Sequence, residues 1–465
     1  MSGRLLGFRQ PRVHLSLSGW GEKRTPLPDR TPPSLPLRPR TPLPCVVLVL
    51  QLAMRRVSIL FGLLAVLLLL PVGASGAGNA CGQMRERLVY GGGSASGLFV
   101  IDAGSGKPVC ARAAKTPRTL ASNTKLFTTS TALFRFGPEY RIATKLLTDG
   151  TIGFNGVLHG SLYLQGGGDP ALGIPSFYDR YGGGLGTNLF GLGSQLQAAG
   201  VTAVTGRLYA DDTVFDRVRG VADSGYGTSP YIGPLSGLSF DSGYRGSISQ
   251  GFASDPATLA ATKLAGALRS AGISIRAGVA RGATPAGADP LATVRSPTMS
   301  RLIEATDVYS NNFFAEMLAK LLGAHFGGAG TTQAGTNVIE RFARGQGSGI
   351  QAIDGSGLTR GNRASPSQVV GLLQAMRGTG VGDEFIQDLA LAGHEGTVAD
   401  RMHGTPAYGR CRTKTGTLTA VSALSGYCFN RSGRIMVFSI LMNSVGDLSL
   451  AHYEQDKIAA LVASY

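Results

Sequence analysis

Apolar positions alternate in short runs at both ends of the chain and fall at helical spacing between them. Gly97 to Ala103 (GLFVIDA) and Pro108 to Ala111 (PVCA) flank a Gly-Ser-Gly turn, which predicts a β-hairpin. The period then lengthens. Leu126, Phe127, Leu133 and Phe134 recur at helical spacing within Ala121 to Phe136, and Gly137-Pro138 ends the run. From about 151 to 296 the pattern is short strands with dense turns, as where Gly160 to Gln165 runs into Gly166-Gly167-Gly168-Asp169-Pro170. Leu189 to Ala199 and Thr258 to Ala271 interrupt it as helices. Helical spacing returns at Met299 to Tyr309 and Phe313 to Leu322, where Phe313, Phe314, Met317, Leu318 and Leu321 mark one face. Lys414 to Leu418, Val421 to Phe429 and Ile435 to Leu441 are strand-like, and Leu450 to Ala463 closes as an amphipathic helix.

Strands at both ends with helices between them imply that the two ends share one sheet. The core is then discontinuous, 78–150 with 297–465, and 151–296 is a β-rich insertion. In front of it, Met54-Arg55-Arg56, the apolar run Val57 to Leu70, and the small residues up to Ala77 follow the order of a secretory signal. The apolar run is too short to span a bilayer comfortably, so 54–77 is expected to be a signal peptide cut near Ala77, leaving the protein peripheral to a membrane at most. Residues 1–53 form a Pro/Arg-rich leader with nine of the 23 prolines, unable to build a core, and Met54 is the expected start of translation.

Composition narrows the partners. Of 465 residues 43% are hydrophobic, enough for a sizeable core, and the 68 glycines show no collagen-like period. The formal charge is +16, but half of it precedes residue 78, and no Lys/Arg run follows. This argues against nucleic acid and leaves a generic attraction to anionic envelope surfaces. Past the signal the cysteines are Cys81, Cys110, Cys411 and Cys428, an even set that in an exported chain predicts two disulfides. If Thr419-Ala420 is a two-residue hairpin turn, Cys411 faces Cys428, leaving Cys81 for Cys110.

Three stations carry chemistry. Ser122-Asn123-Thr124-Lys125 sets a hydroxyl and an amine on one helix face. A lysine can activate that serine only if burial or a nearby positive charge keeps its amine neutral. The chain uses nine lysines against 35 arginines, and arginine cannot accept a proton. Ser310-Asn311-Asn312 lies between two helices, and Lys414-Thr415-Gly416-Thr417 lies on a late strand. Taken singly these are a capping serine, a helix cap and a plain strand. In this order they match the Ser-x-x-Lys, Ser-x-Asn and Lys-Thr-Gly signature of penicillin-recognising enzymes.

Over residues 85–465 the chain resembles the low-molecular-mass penicillin-binding serine D-alanyl-D-alanine carboxypeptidase/endopeptidase family, peptidase family S13. Gly167-Gly168-Asp169-Pro170, Ala315-Glu316 and Asp354-Gly355-Ser356-Gly357-Leu358 add to the match. The resemblance implies an α/β (α+β) fold, an antiparallel sheet flanked by helices with a β-rich domain inserted after the nucleophile helix. It implies Ser122 as nucleophile, Lys125 as its base, Ser310 as proton relay and Asn312 as holder of the substrate amide and Lys125. Lys414 would offer positive charge to a substrate carboxylate, helped by Thr415 and Thr417. Gly416 belongs to the same strand motif, and the Ser122 and Thr417 amides would form the oxyanion hole. Arg360 is a second candidate for the carboxylate, and Asp169 reads as a turn cap. Asn311 stands where aspartate is frequent, and the spacing from Ser122 to Ser310 is shorter than in many relatives. The implied partners are peptidoglycan stem peptides and acylating β-lactams, in the periplasm or extracellular wall. No cofactor is called for. The competing expectations are a non-catalytic cell-wall scaffold and, without a Glu-x-x-Leu-Asn segment to supply a deacylating base, more weakly a serine β-lactamase.

Overall fold

The computed structural model describes residues 75–181 and 183–465. The leader 1–53 and the signal up to residue 74 lie outside the described residues. The helix Ser75–Gly92 begins before Ala77, so cutting there would shorten it by less than one turn.

The sheet expected from the two ends is present. Its strand order is Ala390–Leu391, Cys411–Leu418, Val421–Phe429, Ile435–Asn443, Gly97–Asp102, Pro108–Arg112, with every neighbouring pair antiparallel. Gly97 faces Leu441 and Asp102 faces Met436, which joins the start of the described chain to its end.

Both faces of this sheet are buried, and the two-residue period sorts the side chains between them. Ala423, Tyr427, Val437 and Leu441 enter one core with helices Thr124–Phe136, Met299–Val308, Asn312–Phe326, Thr332–Gly345 and Pro366–Arg377. Leu424, Cys428, Phe438 and Ile440 enter the other, under helices Ser75–Gly92 and Leu448–Ser464. Val421–Phe429 is buried on both faces, and its two buried serines are paired, Ser425 with the Ser439 hydroxyl and Ser422 with the Gln455 amide. Cys81 is bonded to Cys110 and Cys411 to Cys428. The hairpin turn at Thr419-Ala420 puts Cys411 opposite Cys428, as expected.

The insertion holds a five-stranded sheet, Val279–Arg281, Leu208–Asp211, Leu162–Gln165, Ala143–Thr148, Asp289–Arg295, and a smaller four-stranded one. Helices Gly191–Ala198 and Pro256–Ser270 pack on it around Leu146, Leu164, Leu264 and Leu268. One boundary moves. Ala143–Thr148, expected within the 78–150 portion, pairs with Asp289–Arg295 inside the inserted sheet. The chain has to leave and re-enter the core side by side, and pairing those two segments satisfies their backbone groups at the neck. A third helix, Pro175–Tyr181, also lies within the insertion.

Candidate active site

Ser122 sits in a single 3-10 turn, Ala121–Asn123, that feeds the helix Thr124–Phe136. Two glycines make that turn possible. A Cβ on Gly416 would lie 3.0 Å from the Ser122 nitrogen, and one on Gly357 would lie 1.9 Å from the Ala121 carbonyl oxygen. The strand Cys411–Leu418 and the Asp354–Leu358 loop therefore press on the nucleophile turn from two sides. Gly357 also has φ 89°, open to glycine at no steric cost. The Asn123 amide clamps the strand to the turn by donating to the Lys414 carbonyl at 3.0 Å.

One turn along, Lys125 is fully buried. Its Nζ lies 3.0 Å from Ser122 Oγ, 2.7 Å from Asn312 Oδ1 and 2.7 Å from the Ser356 carbonyl oxygen. Burial and the nearby Lys414 charge lower its pKa to about 7, against the pull of Asp354, Glu316 and Asp307. A neutral amine can then take the Ser122 proton, while Asn312 and Ser356 hold the nitrogen in line.

The Ser356 carbonyl is itself built. Asp354 accepts from the Gly357 and Thr359 amides, both at 2.7 Å, and folds the loop. Glu316, on the same helix as Asn312, accepts from the Ser356 N-H at 2.7 Å. Ser356 is thus gripped at its N-H by the Glu316 carboxyl and at its carbonyl by the Lys125 amine. Burial and Asp354 push the Glu316 carboxyl well above its usual range.

Asn311 caps the helix Asn312–Phe326 by accepting from the Phe314 N-H at 3.1 Å, so Asn312 opens the helix with its amide turned to the site. Ser310 has φ 56° and is half-buried. Among the described residues its hydroxyl makes no hydrogen bond with Ser122 or Lys125.

Lys414 departs from the expected arrangement. It is fully buried, donates to the Thr415 carbonyl at 3.0 Å, and is absent from the cavity wall. Strand alternation explains this: Lys414 and Gly416 share the face against the nucleophile turn, while Thr415 and Thr417 share the opposite face. Thr415 is buried with its hydroxyl on Thr397 at 2.8 Å, leaving Thr417 exposed to the cavity. Burial brings the Lys414 pKa down to about 8, with Asp307 opposing.

The cavity in front of Ser122 measures about 910 Å³ and is lined by Asn312, Thr417, Arg360, Tyr231, Asp223 and Asp447 among others. Arg360 donates to the Thr419 carbonyl at its rim. The Tyr231 carbonyl accepts from the Asn312 amide at 3.1 Å, so a loop of the insertion forms one wall. Asp169 lies elsewhere as a buried turn cap, accepting from the Ala171 N-H at 2.8 Å and the Thr187 hydroxyl at 2.6 Å.

Residues 86–250 and 245–465 match the D-Ala-D-Ala carboxypeptidase 3 (S13) family. The chain belongs to that family. It is 31% identical over 456 residues to the D-alanyl-D-alanine carboxypeptidase of Actinomadura sp. (strain R39), covering 80% of this chain and 82% of the relative. It is 28% identical over 370 residues to a carboxypeptidase of Mycobacterium tuberculosis, covering 75% and 76%. In fold it is similar to penicillin binding protein 4 of Haemophilus influenzae, with a TM-score of 0.69 at 20% identity over 82% of this chain and 99% of that one.

Chemistry-bearing residues with no expected role also gather here. Asp307, Tyr231 and Asp223 carried no sequence signal. Glu316, Asp354 and Ser356 stood in matched motifs without an assigned task.

Proposed function

We propose that this protein is a serine-type D-alanyl-D-alanine carboxypeptidase of peptidoglycan stem peptides, working through an acyl-enzyme on Ser122. The observation that carries this is the Ser122 hydroxyl 3.0 Å from a fully buried, cation-flanked Lys125 amine. Ser122 attacks the penultimate D-alanyl carbonyl as Lys125 takes its proton. The Ser122 and Thr417 amides stabilise the developing oxyanion, and the terminal D-alanine leaves with a proton relayed through Ser310. Water then releases the acyl group. Asn312 orients both Lys125 and the substrate amide, and Thr417 with Arg360 faces the substrate carboxylate. Cross-linked stem peptides carry the same acyl group and are substrates by the same route. Two disulfides and the family's cell-wall substrate favour an exported enzyme, in the periplasm or extracellular wall. Among the described residues no helix is long and apolar enough to cross a membrane.

A labelled penicillin should form a stable covalent adduct, because its ring-tethered leaving group cannot depart. Ser122→Ala should abolish it, and purified pentapeptide muropeptides should lose one D-alanine with the wild-type enzyme only. Labelling that persists in folded Ser122→Ala, or muropeptides left intact, would overturn the proposal.

A further inference from the structure

The interior behind the nucleophile holds a carboxylate that the mechanism above does not use. Asp307 lies in the last turn of the helix Met299–Val308, three residues before Ser310, and is fully buried. Among the described residues neither of its carboxylate oxygens has a hydrogen-bond partner. The neighbouring Thr129 hydroxyl donates instead to the Lys125 carbonyl at 2.7 Å. Three features therefore count against this residue as a structural element: burial, unpaired oxygens, and a negative charge at the negative end of a helix. What offsets them is the company it keeps. Lys125 and Lys414, both fully buried, are the cations that act on it.

We propose that Asp307 is a positioning residue of the acylation machinery, a buried counter-charge that sets the protonation of the Lys125 and Lys414 pair and so the pH window of attack by Ser122. This rests on Ser122 as nucleophile and Lys125 as its base. The charged groups around Asp307 are Lys125 from the nucleophile helix, Lys414 from the strand Cys411–Leu418 and Asp388 after the short helix Gly382–Gln387, while Glu316 from the helix Asn312–Phe326 acts beside it on Lys125. Arg301 and Glu304 of its own helix pair with each other. Asp388 accepts from the Ser300 hydroxyl at 3.1 and 3.2 Å and is pushed up to about 8 by burial, as Glu316 is also raised, so neither supplies a full negative charge at neutral pH. Asp307 is raised only to about 6 and is charged there.

The signs follow directly. Acylation needs Lys125 neutral and Lys414 charged, which gives a bell with limbs near 7 and 8. An ammonium that loses a nearby anion releases its proton more readily, so removing the Asp307 charge lowers both limbs.

The test is the second-order rate of acylation of the full chain by a labelled penicillin, measured from acid to alkaline pH. Asp307→Asn should move the whole bell toward acid by about one pH unit. Asp307→Glu, which keeps the charge, should move it back. A bell that stays in place in Asp307→Asn, at any height, overturns the proposal. Labelling of Ser122→Ala would instead overturn the nucleophile assignment, a separate outcome. If Asp307→Asn does not fold, the wild type still decides. With lysines labelled at Cε and Lys414 identified by its loss in Lys414→Arg, the Lys414 signal should carry a second inflection near pH 6, where Asp307 titrates. A single inflection overturns the proposal.

Discussion

At the scale of single residues, the charges of this site are divided between a wall and an interior. Lys125 and Lys414 are sealed behind the nucleophile turn, whereas Arg360 and Thr417 stand in the cavity. A substrate carboxylate can be touched only by groups that reach the cavity, so Arg360 should carry most of the preference for a free C-terminus. A charge-assisted contact of this kind contributes about 1.5 to 3 kcal/mol, or roughly 10- to 150-fold. Arg360→Ala should shrink the ratio of kcat/KM for a peptide acid over its amide by that factor. Lys414→Ala should lower both rates together, since its charge acts on Lys125. The opposite pattern, with Lys414→Ala collapsing the ratio and Arg360→Ala sparing it, would assign the carboxylate to Lys414.

At the scale of elements, what could be foreseen followed local chemistry. The hairpin around Thr419-Ala420 fixed the partner of every residue along two strands, and the Cys411–Cys428 bond is one consequence. Both cysteines are fully buried, at the far end of the strand from Thr417. Closing a loop of 17 residues should stabilise the fold by about 3 kcal/mol. A Cys411→Ala/Cys428→Ala double variant should lose about that much in urea unfolding while its penicillin acylation rate stays within about twofold. Unchanged stability would show that the sheet alone holds this register. Two further helices carry start signals just as local. The helix Pro366–Arg377 opens with a Ser365/Gln368 capping box and proline at its first position. The helix Thr332–Gly345 is capped by Thr331. Asp307 and Tyr231 were illegible in the sequence. Their roles come from long-range proximity, to Lys414 across the core and to Asn312 across the insertion, and no spacing along the chain encodes that.

At the scale of the whole molecule, the insertion is more than a passenger between two halves of a core. Its chain leaves and returns through paired strands, Ala143–Thr148 and Asp289–Arg295, and its Phe177, Phe215 and Leu235 pack into the core among the helices. A polar tie is added by Lys320, fully buried on the helix that begins at Asn312, which pairs with Asp216 and donates to the Val218 carbonyl at 2.7 Å. Arg219, next in the chain, pairs with Asp212 and donates to the Leu235 carbonyl at 2.8 Å. Together they fix both ends of the loop that presents Asp223 and Tyr231 to the cavity. Releasing this latch should therefore affect long substrates that lean on the loop more than a small acylating agent that needs only Ser122 and Lys125. Lys320→Met keeps most of the buried volume and removes the charge, and Asp216, partly exposed, can turn to water. In this variant penicillin acylation should stay within about threefold, while kcat/KM for a pentapeptide muropeptide should fall by about tenfold or more, the cost of a misplaced contact surface. Equal losses on both substrates would mean that Lys320 supports the nucleophile helix alone, and no loss on either would mean that the paired strands already hold the insertion in place.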